Sequence, residues 1–362
     1  MKMKKVLLLL IIVLLIMFPV SSFAKVTSNE KEDVFEKHMA EKISNMDPDT
    51  LEKLLSLDFP MERIKYLSED EIQEIVENDY TFIGDSGEQT YLVLYAHLNS
   101  LDGEYYLTEE SKSETTFSAM IPITEKEKEE YFKDKDAFRK YVIYNLKELD
   151  NKRDISVSNS SNNRDISTID DFVNIINKPN ISLQSSFVED DIDAGVLTLG
   201  VNAYDMSTST VIKKKLGIDF HWVEAPWTNK VDQMGLGHSA NYLGLTNYYD
   251  TGGSYSYYYG NIWKDRDSVI TTHPKSGGLG VDVDLYLAWF ECYGRAWIVI
   301  GNNKSAVTPN AKFFINGQYG HITKGSKLSV SVDFGGNISF TPSSTTKHVK
   351  SSTASMNHIL TY

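Results

Sequence analysis

The stretch Val281-Asp282-Val283-Asp284-Leu285-Tyr286-Leu287-Ala288-Trp289-Phe290 decides the fold class. Successive strand side chains point to opposite faces, so Val281, Val283, Leu285, Leu287 and Trp289 form one apolar side, and Asp282, Asp284, Tyr286 and Phe290 form the other. One buried and one polar face is the pattern of an antiparallel strand that covers a core. Runs of the same kind recur at Gly195–Tyr204, Val211–Trp222, Ser254–Tyr259, Ser268–Thr272, Arg295–Ile300, Ala311–Ile315, Leu328–Phe334 and Asn337–Thr341. Gly, Asn and Ser turn residues separate them, which predicts an antiparallel β-sandwich or jelly-roll-like domain over 181–362. Asn316-Gly317 has the composition of a hairpin turn.

Upstream the character changes. Residues 25–180 carry 19 basic and 35 acidic side chains, residues 181–362 carry 14 and 15, and all five Trp lie in the second part. Asp47-Pro48 reads as a helix N-cap followed by proline at the first helical position. Ser68-Glu69-Asp70-Glu71 and Thr124-Glu125-Lys126-Glu127 are capping-box patterns, the second opening a helix to about Leu149. Strand-like runs lie at Thr90–His97 and Thr116–Ile123. The fold class is therefore α+β, with a small N-terminal α-rich unit before the β domain. The expected organisation is a signal segment over 1–24, an acidic α+β domain over 25–150, a Ser/Asn-rich linker with a short helix at Ile169–Ile176 over 151–180, and the sandwich over 181–362.

Lys2, Lys4 and Lys5 precede an apolar run from Val6 to Val20, and Ser22 and Ala24 follow as the small residues of a cleavage site. That run is shorter than the roughly 20 residues needed to span a bilayer, so the expectation is a cleaved export signal, a secreted bacterial product and no stable membrane anchor. One Cys, Cys292, excludes an intrachain disulfide and thiolate metal sites. A net charge of −14 from 36 Lys+Arg and 50 Asp+Glu argues against nucleic acid as a partner.

Three segments are candidates for chemistry. In Ser254-Tyr255-Ser256-Tyr257-Tyr258-Tyr259, the rings of Tyr255, Tyr257 and Tyr259 share one strand face, with Trp263 nearby. Such a row forms an amphipathic platform for an extracellular glycan or another cell-surface ligand, or else packs the core. The carboxylates of Asp282 and Asp284 start roughly 7 Å apart and suit an acid/base pair or an ion site, with His238 a candidate base; the plain reading is an exposed sheet face. Gly237-His238-Ser239-Ala240-Asn241 approaches a nucleophile elbow but lacks its last glycine and its helix. Asp191-Ile192-Asp193-Ala194-Gly195 begins like a Ca²⁺ loop without the later ligands, so no metal site is assigned, and the cofactor stays unknown. Ser276-Gly277-Gly278-Leu279-Gly280 reads as a turn.

Phe220-His221-Trp222-Val223-Glu224-Ala225-Pro226-Trp227, followed by Asp232 and Gly235-Leu236-Gly237, resembles a segment of uncharacterised secreted proteins of Gram-positive bacteria: an aromatic-x-Trp-x-x-x-Pro run, then Asp and Gly-x-Gly. The resemblance spans about twenty residues and implies export and a β context, with no catalytic residue to carry over. The leading expectation is a secreted noncatalytic binding protein using the Tyr255/Tyr257/Tyr259/Trp263 surface. The alternatives are a secreted hydrolase using carboxylates of the β domain and a secreted effector acting on membranes.

Overall fold

The computed structural model describes residues 34–101, 104–107, 115–160, 169, 170, 173, 192–224, 231–259, 262–266, 269–285, 291–325, 327–344 and 346–360. Residues 1–24, expected to be an export signal, the Ser/Asn tract beyond Ser160 and Tyr286–Phe290 lie outside them. Contacts divide the chain into Met1–Val34 and one compact unit, Phe35–Tyr362.

Both capping boxes form. Ser68 Oγ accepts from the Glu71 amide at 3.2 Å at the start of α4 (Glu69–Asn78), and Thr124 Oγ1 accepts from the Glu127 amide at 3.2 Å at the start of α5 (Glu125–Lys133). Asp47 caps α2 (Pro48–Ser56) by accepting from the Thr50 amide at 2.9 Å. Before these come α1 (Val34–Asn45), and between α2 and α4 the single turn α3 (Met61–Ile64). The helix expected to run to Leu149 is two helices. Asp134 turns the backbone out of the helix and accepts from the Ala137 amide at 3.0 Å, opening α6 (Lys135–Asp150).

Among the described residues every strand pairing is antiparallel, in two stacked sheets and a separate two-stranded hairpin. The large sheet contains β1 (Thr81–Asp85), β2 (Gln89–Leu101), β3 (Glu104–Leu107), β4 (Thr115–Ile123), β5 (Ser156–Ser160), β6 (Ile192–Asp205), β7 (Val211–Glu224), β9 (Asn247–Tyr259), β10 (Ile262–Asp265) and β13 (Cys292–Asn303). Its order is β10-β9-β13-β7-β6-β2-β4-β5, with β1 also on β6 and β3 on β2. The second sheet is β11 (Ile270–Lys275), β12 (Gly278–Asp284), β8 (Val231–His238), β14 (Lys312–Lys324) and β17 (Lys347–Lys350) in that order, with β18 (Ala354–Ile359) on β14. A hairpin, β15 (Leu328–Val332) with β16 (Ile338–Pro342), covers the outside of the second sheet, where Ile338 and Val330 lie over Gly235. The compositional break near residue 180 does not interrupt the large sheet, since Thr90 of β2 pairs with Thr198 of β6. β5 lies within the stretch expected to be linker, and the described residues of the following short helix, Ile169, Asp170 and Val173, are helical.

The main core fills the space between the sheets, with Leu199, Ile218, Phe220, Trp222 and Ile298 facing Met234, Leu236, Val281, Val283, Ile315 and Tyr319. The alternation read in Val281–Leu285 thus points its apolar side inward. Helices α5 and α6 cover the opposite face of β2 and β4 through Tyr131, Phe138, Val142 and Leu146. Helices α2 to α4 pack Leu54, Phe59, Ile64 and Ile75 around Tyr204 of β6. Among the described residues no helix is long and apolar enough to cross a membrane.

Two glycine-containing segments, one read as a hairpin turn and one as an approach to an elbow, lie in strands. Asn316-Gly317 sits in the middle of β14, where a Cβ on Gly317 would come within 2.4 Å of Val201 Cγ1. The glycine serves close approach of the sheets, not a hairpin. Gly237-His238 ends β8; a Cβ on Gly237 would meet the Gly336 carbonyl at 2.1 Å, so the small residue admits the neighbouring loop and no strained elbow forms.

Candidate functional site

The strand register sets one face of the large sheet toward α1–α4. Arg295 lies between Asp219 of β7 and Ser254 of β9, and Tyr293 lies between His221 and Ser256. Trp263 of β10 pairs with Tyr258, and Asp265 with Ser256, on the same side. This face is polar although its strands are apolar on the reverse.

Its centre is a buried chain of alternating charge. Arg63 of α3 donates from Nε to Asp85 Oδ2 at 3.0 Å and from Nη1 to Asp219 Oδ2 at 3.2 Å. Arg295 Nε lies 3.3 Å from Asp219 Oδ1, an ion-pair contact outside hydrogen-bond alignment. Arg295 Nη1 is 3.5 Å from Glu71 Oε1, and Lys215 Nζ is 3.1 Å from that oxygen and 3.4 Å from Glu74 Oε2. Arg295 Nη2 also donates to Asn202 Oδ1 at 2.9 Å and to the Tyr204 hydroxyl, which donates to Glu71 Oε1 at 3.2 Å. Burial pushes the Glu71 carboxyl up, but Arg295 and Lys215 outweigh it and hold the group below its ordinary value. For Asp219 burial wins, holding its carboxyl above the ordinary value although the guanidiniums of Arg295 and Arg63 oppose the shift.

Beside this network, a groove of 1040 Å³ runs between α1 and α4 on one side and β9, β10 and β13 on the other. Trp263, Tyr293, Trp297 and Tyr66 supply aromatic surface, Ser254 and Ser256 supply hydroxyls, and Glu69, Asp70, Asp250 and Asp265 supply carboxylates. Trp263 stacks on His38 of α1 with ring centres 5.1 Å apart and meets Tyr293 at 5.3 Å. Lys42 of α1 lines the groove, and burial lowers its pKa to about 8 against the opposing pull of Glu71 and Asp265. Aromatic faces next to hydroxyls and carboxylates bind polar molecules that have a flat apolar side.

The tyrosine row is divided. Tyr255 is 3% exposed, belongs to the inter-sheet core and shares a hydrogen bond with Cys292. Tyr257 packs partly buried against that core, its ring 6.2 Å from Tyr255, and Tyr259 is exposed at the strand end. Strand parity does put the three on one face, but that face looks inward. Trp263 lies on the reverse face and lines the groove, and of the three tyrosines Tyr255 also contributes to its lining.

The carboxylate pair and His238 do not assemble. Asp282 accepts from Gln233 Nε2 at 2.6 Å and pairs with His273 Nε2 at 3.0 Å, on the outer side of the second sheet. Asp284 is exposed. His238 shares the inward side of β8 with Met234 and Leu236, and Asp282 is in register with Gln233 on the other side, so the sheet separates imidazole from carboxylate. Both ring nitrogens of His238 are buried without a hydrogen-bond partner, and burial lowers its pKa to about 4. Cys292 is buried with its thiol pushed up to about 12, unsuited to nucleophilic attack at neutral pH. Among the described residues no group of three or more His, Cys, Asp or Glu is arranged to hold a metal ion.

Sequence reasoning passed over Arg295, Asp219 and Lys215. A signal was present: each is a charge inside an otherwise apolar strand. Their partners Arg63 and Glu71 lie more than 130 positions away in sequence, and only the fold brings them together.

No protein-family model matches the chain, and no curated protein matches it. Among solved structures, the T6 backbone pilin of serotype M6 Streptococcus pyogenes, described as a modular three-domain structure decorated with variable loops and extensions, aligns with a TM-score of 0.22 and 9% identity over 75% of this chain. The aligned region spans 62% of the pilin, less than two thirds of its length. A likeness at that level carries no argument about this chain.

Proposed function

We propose that the protein is an exported, noncatalytic binding protein whose ligand, an extracellular glycan, occupies the groove between α1, α4 and the large sheet. The observation that carries this reading is the groove itself, where Trp263 and Tyr293 stand beside Ser254, Ser256 and Asp265. A sugar ring has a flat C–H face for an aromatic wall and hydroxyl edges for carboxylates and serines. Export is supported by the charged, apolar and small-residue regions of 1–24 and by the likeness of 220–237 to segments of secreted proteins. The hydrolase reading loses its trio, since Asp282 and His238 lie on opposite faces of one sheet.

Retention of the full mature chain on insoluble polysaccharides, with a soluble glycan array beside it, tests the reading. Trp263→Ala is expected to weaken binding at least about tenfold, the scale of one lost aromatic stacking contact. Tyr259→Ala, away from the groove, is expected to leave it unchanged. Equal retention of wild type and Trp263→Ala, or no retention on any polymer, overturns the proposal.

A further inference from the structure

We infer that α1 is a detachable cover over one end of the groove, and that Phe35 fills an aromatic box which joins the binding channel when the helix lifts; the inference rests on the groove being the ligand site. Of the twelve residues of α1, Phe35 and Met39 are the buried ones. With Lys42 they stand at spacings of four and three on one helix face, the pattern by which an amphipathic helix seats in a groove. Lys42 Nζ donates to the carbonyls of Lys65 at 3.0 Å and Leu67 at 2.5 Å.

The Phe35 ring lies 3.7 Å from His221, 5.3 Å from Tyr293, 5.9 Å from Tyr66 and 6.0 Å from Trp263, measured between ring centres. None of these four walls belongs to α1. Tyr66, Tyr293 and Trp263 also line the groove, so the box and the groove share walls and only the helix separates them. His38, Glu41 and Asn45 of α1 form the groove's facing side. A ring-sized, aromatic-walled space in line with a polar groove fits one further sugar unit of a chain lying along it.

The attachments of α1 and α4 differ. Residues Glu71, Ile72 and Ile75 of α4 are buried, and Glu71 is locked to Arg295 and Lys215. Helix α1 connects to α2 through Met46 and Asp47, and the Asp47 cap on Thr50 involves no α1 residue. Lifting α1 breaks the packing of Ile43 against the α2–α4 cluster, but the cap of α2 and the pairs of Glu71 with Arg295 and Lys215 involve no α1 residue. Segments with few buried apolar contacts open locally before the whole fold does.

Hydrogen exchange of the full chain, read by mass spectrometry, tests the cover without any ligand. Amides of residues 39–45 are expected to exchange at least about 100-fold faster than those of residues 73–78 in α4. Exchange of both helices at one rate overturns the inference. Retention on the polymer that binds wild type tests the link to function. Phe35→Ala is expected to raise affinity about tenfold by vacating the box, and Lys42→Met, which keeps both buried side chains, to raise it in the same direction. Unchanged or weaker binding by both variants overturns the cover, while loss of binding in Trp263→Ala still upholds the groove. Fast exchange of α1 with no polymer retained upholds the cover and overturns the glycan reading.

Discussion

The two faces of the large sheet are made by the same strands and behave as different materials. In β13, Ala296, Ile298 and Ile300 face the second sheet, while Tyr293, Arg295 and Trp297 face the helices. In β7, Leu216, Ile218 and Phe220 oppose Lys215, Asp219 and His221 in the same way. The inward face gains most of its stability from apolar area, without direction, around a small polar set in which Asp232 accepts from Tyr319, and its apolar positions tolerate exchange of one hydrophobe for another of similar volume. The helix-facing side depends on a closed set of partners, because a buried charge is costly once a counter-charge is removed. The difference teaches where the molecule is brittle. Arg295→Ala strands Glu71 and Asp219 together and is expected to cost about 3–5 kcal/mol in urea unfolding, the largest effect foreseen. Ile298→Val, three positions along the same strand and on the inward face, is expected to cost about 1 kcal/mol. Equal losses from the two would erase the contrast.

The inward side also buries polar groups, and where Asp232 accepts from the Tyr319 hydroxyl and lies 2.7 Å from His321 Nδ1, His238 has no such pairing. His238 sits there with both ring nitrogens unpartnered and a pKa lowered to about 4 from 6.5. The unfolded chain takes up this proton as pH falls through 6.5, whereas the folded chain refuses it until about pH 4. Stability is therefore lost across that window on acidification, by about 3 kcal/mol from this residue. His238→Leu is expected to flatten that part of the pH profile and, by removing two unsatisfied polar atoms, to add about 1–2 kcal/mol at pH 7. Parallel profiles for wild type and variant between pH 4 and 6.5 would contradict the assignment.

The sequence made the inward face legible and the helix-facing one opaque, for a physical reason. Period-two alternation in Val281–Leu285 or Val211–Trp222 reports burial on one side of a strand through composition alone, and both capping boxes announce their helices within four residues. β8 was missed because Gly235 and Gly237 look like turn residues, when they are thin places where the β15–β16 hairpin and the loop at Gly336 rest on the sheet. The groove was missed because its parts, His38, Glu69, Ser254 and Trp263, have no sequence period in common; tertiary packing alone assembles them. Gly317→Ala sharpens this point. Read as a turn glycine, it would tolerate alanine poorly for conformational reasons; in a strand against Val201 and Ile218 it is expected to cost about 1–3 kcal/mol through overpacking, with about half restored by Val201→Ala in the double variant.

The smallest effects test the two-face contrast within one short stretch. Tyr255 and Tyr259 have the same side-chain chemistry and the same strand parity, and differ only in depth along β9. Tyr255→Phe keeps the ring in the core and removes the hydroxyl that bonds Cys292, a buried polar contact whose loss is expected to cost about 1 kcal/mol. Tyr259→Ser removes a whole ring, yet this ring is exposed and its neighbour is the Lys264 ammonium at 5.0 Å, so the expected change is within about 0.5 kcal/mol. If truncating the exposed ring costs more than deleting the buried hydroxyl, then depth along β9 does not set what a tyrosine contributes there, and the two-face contrast fails within this strand.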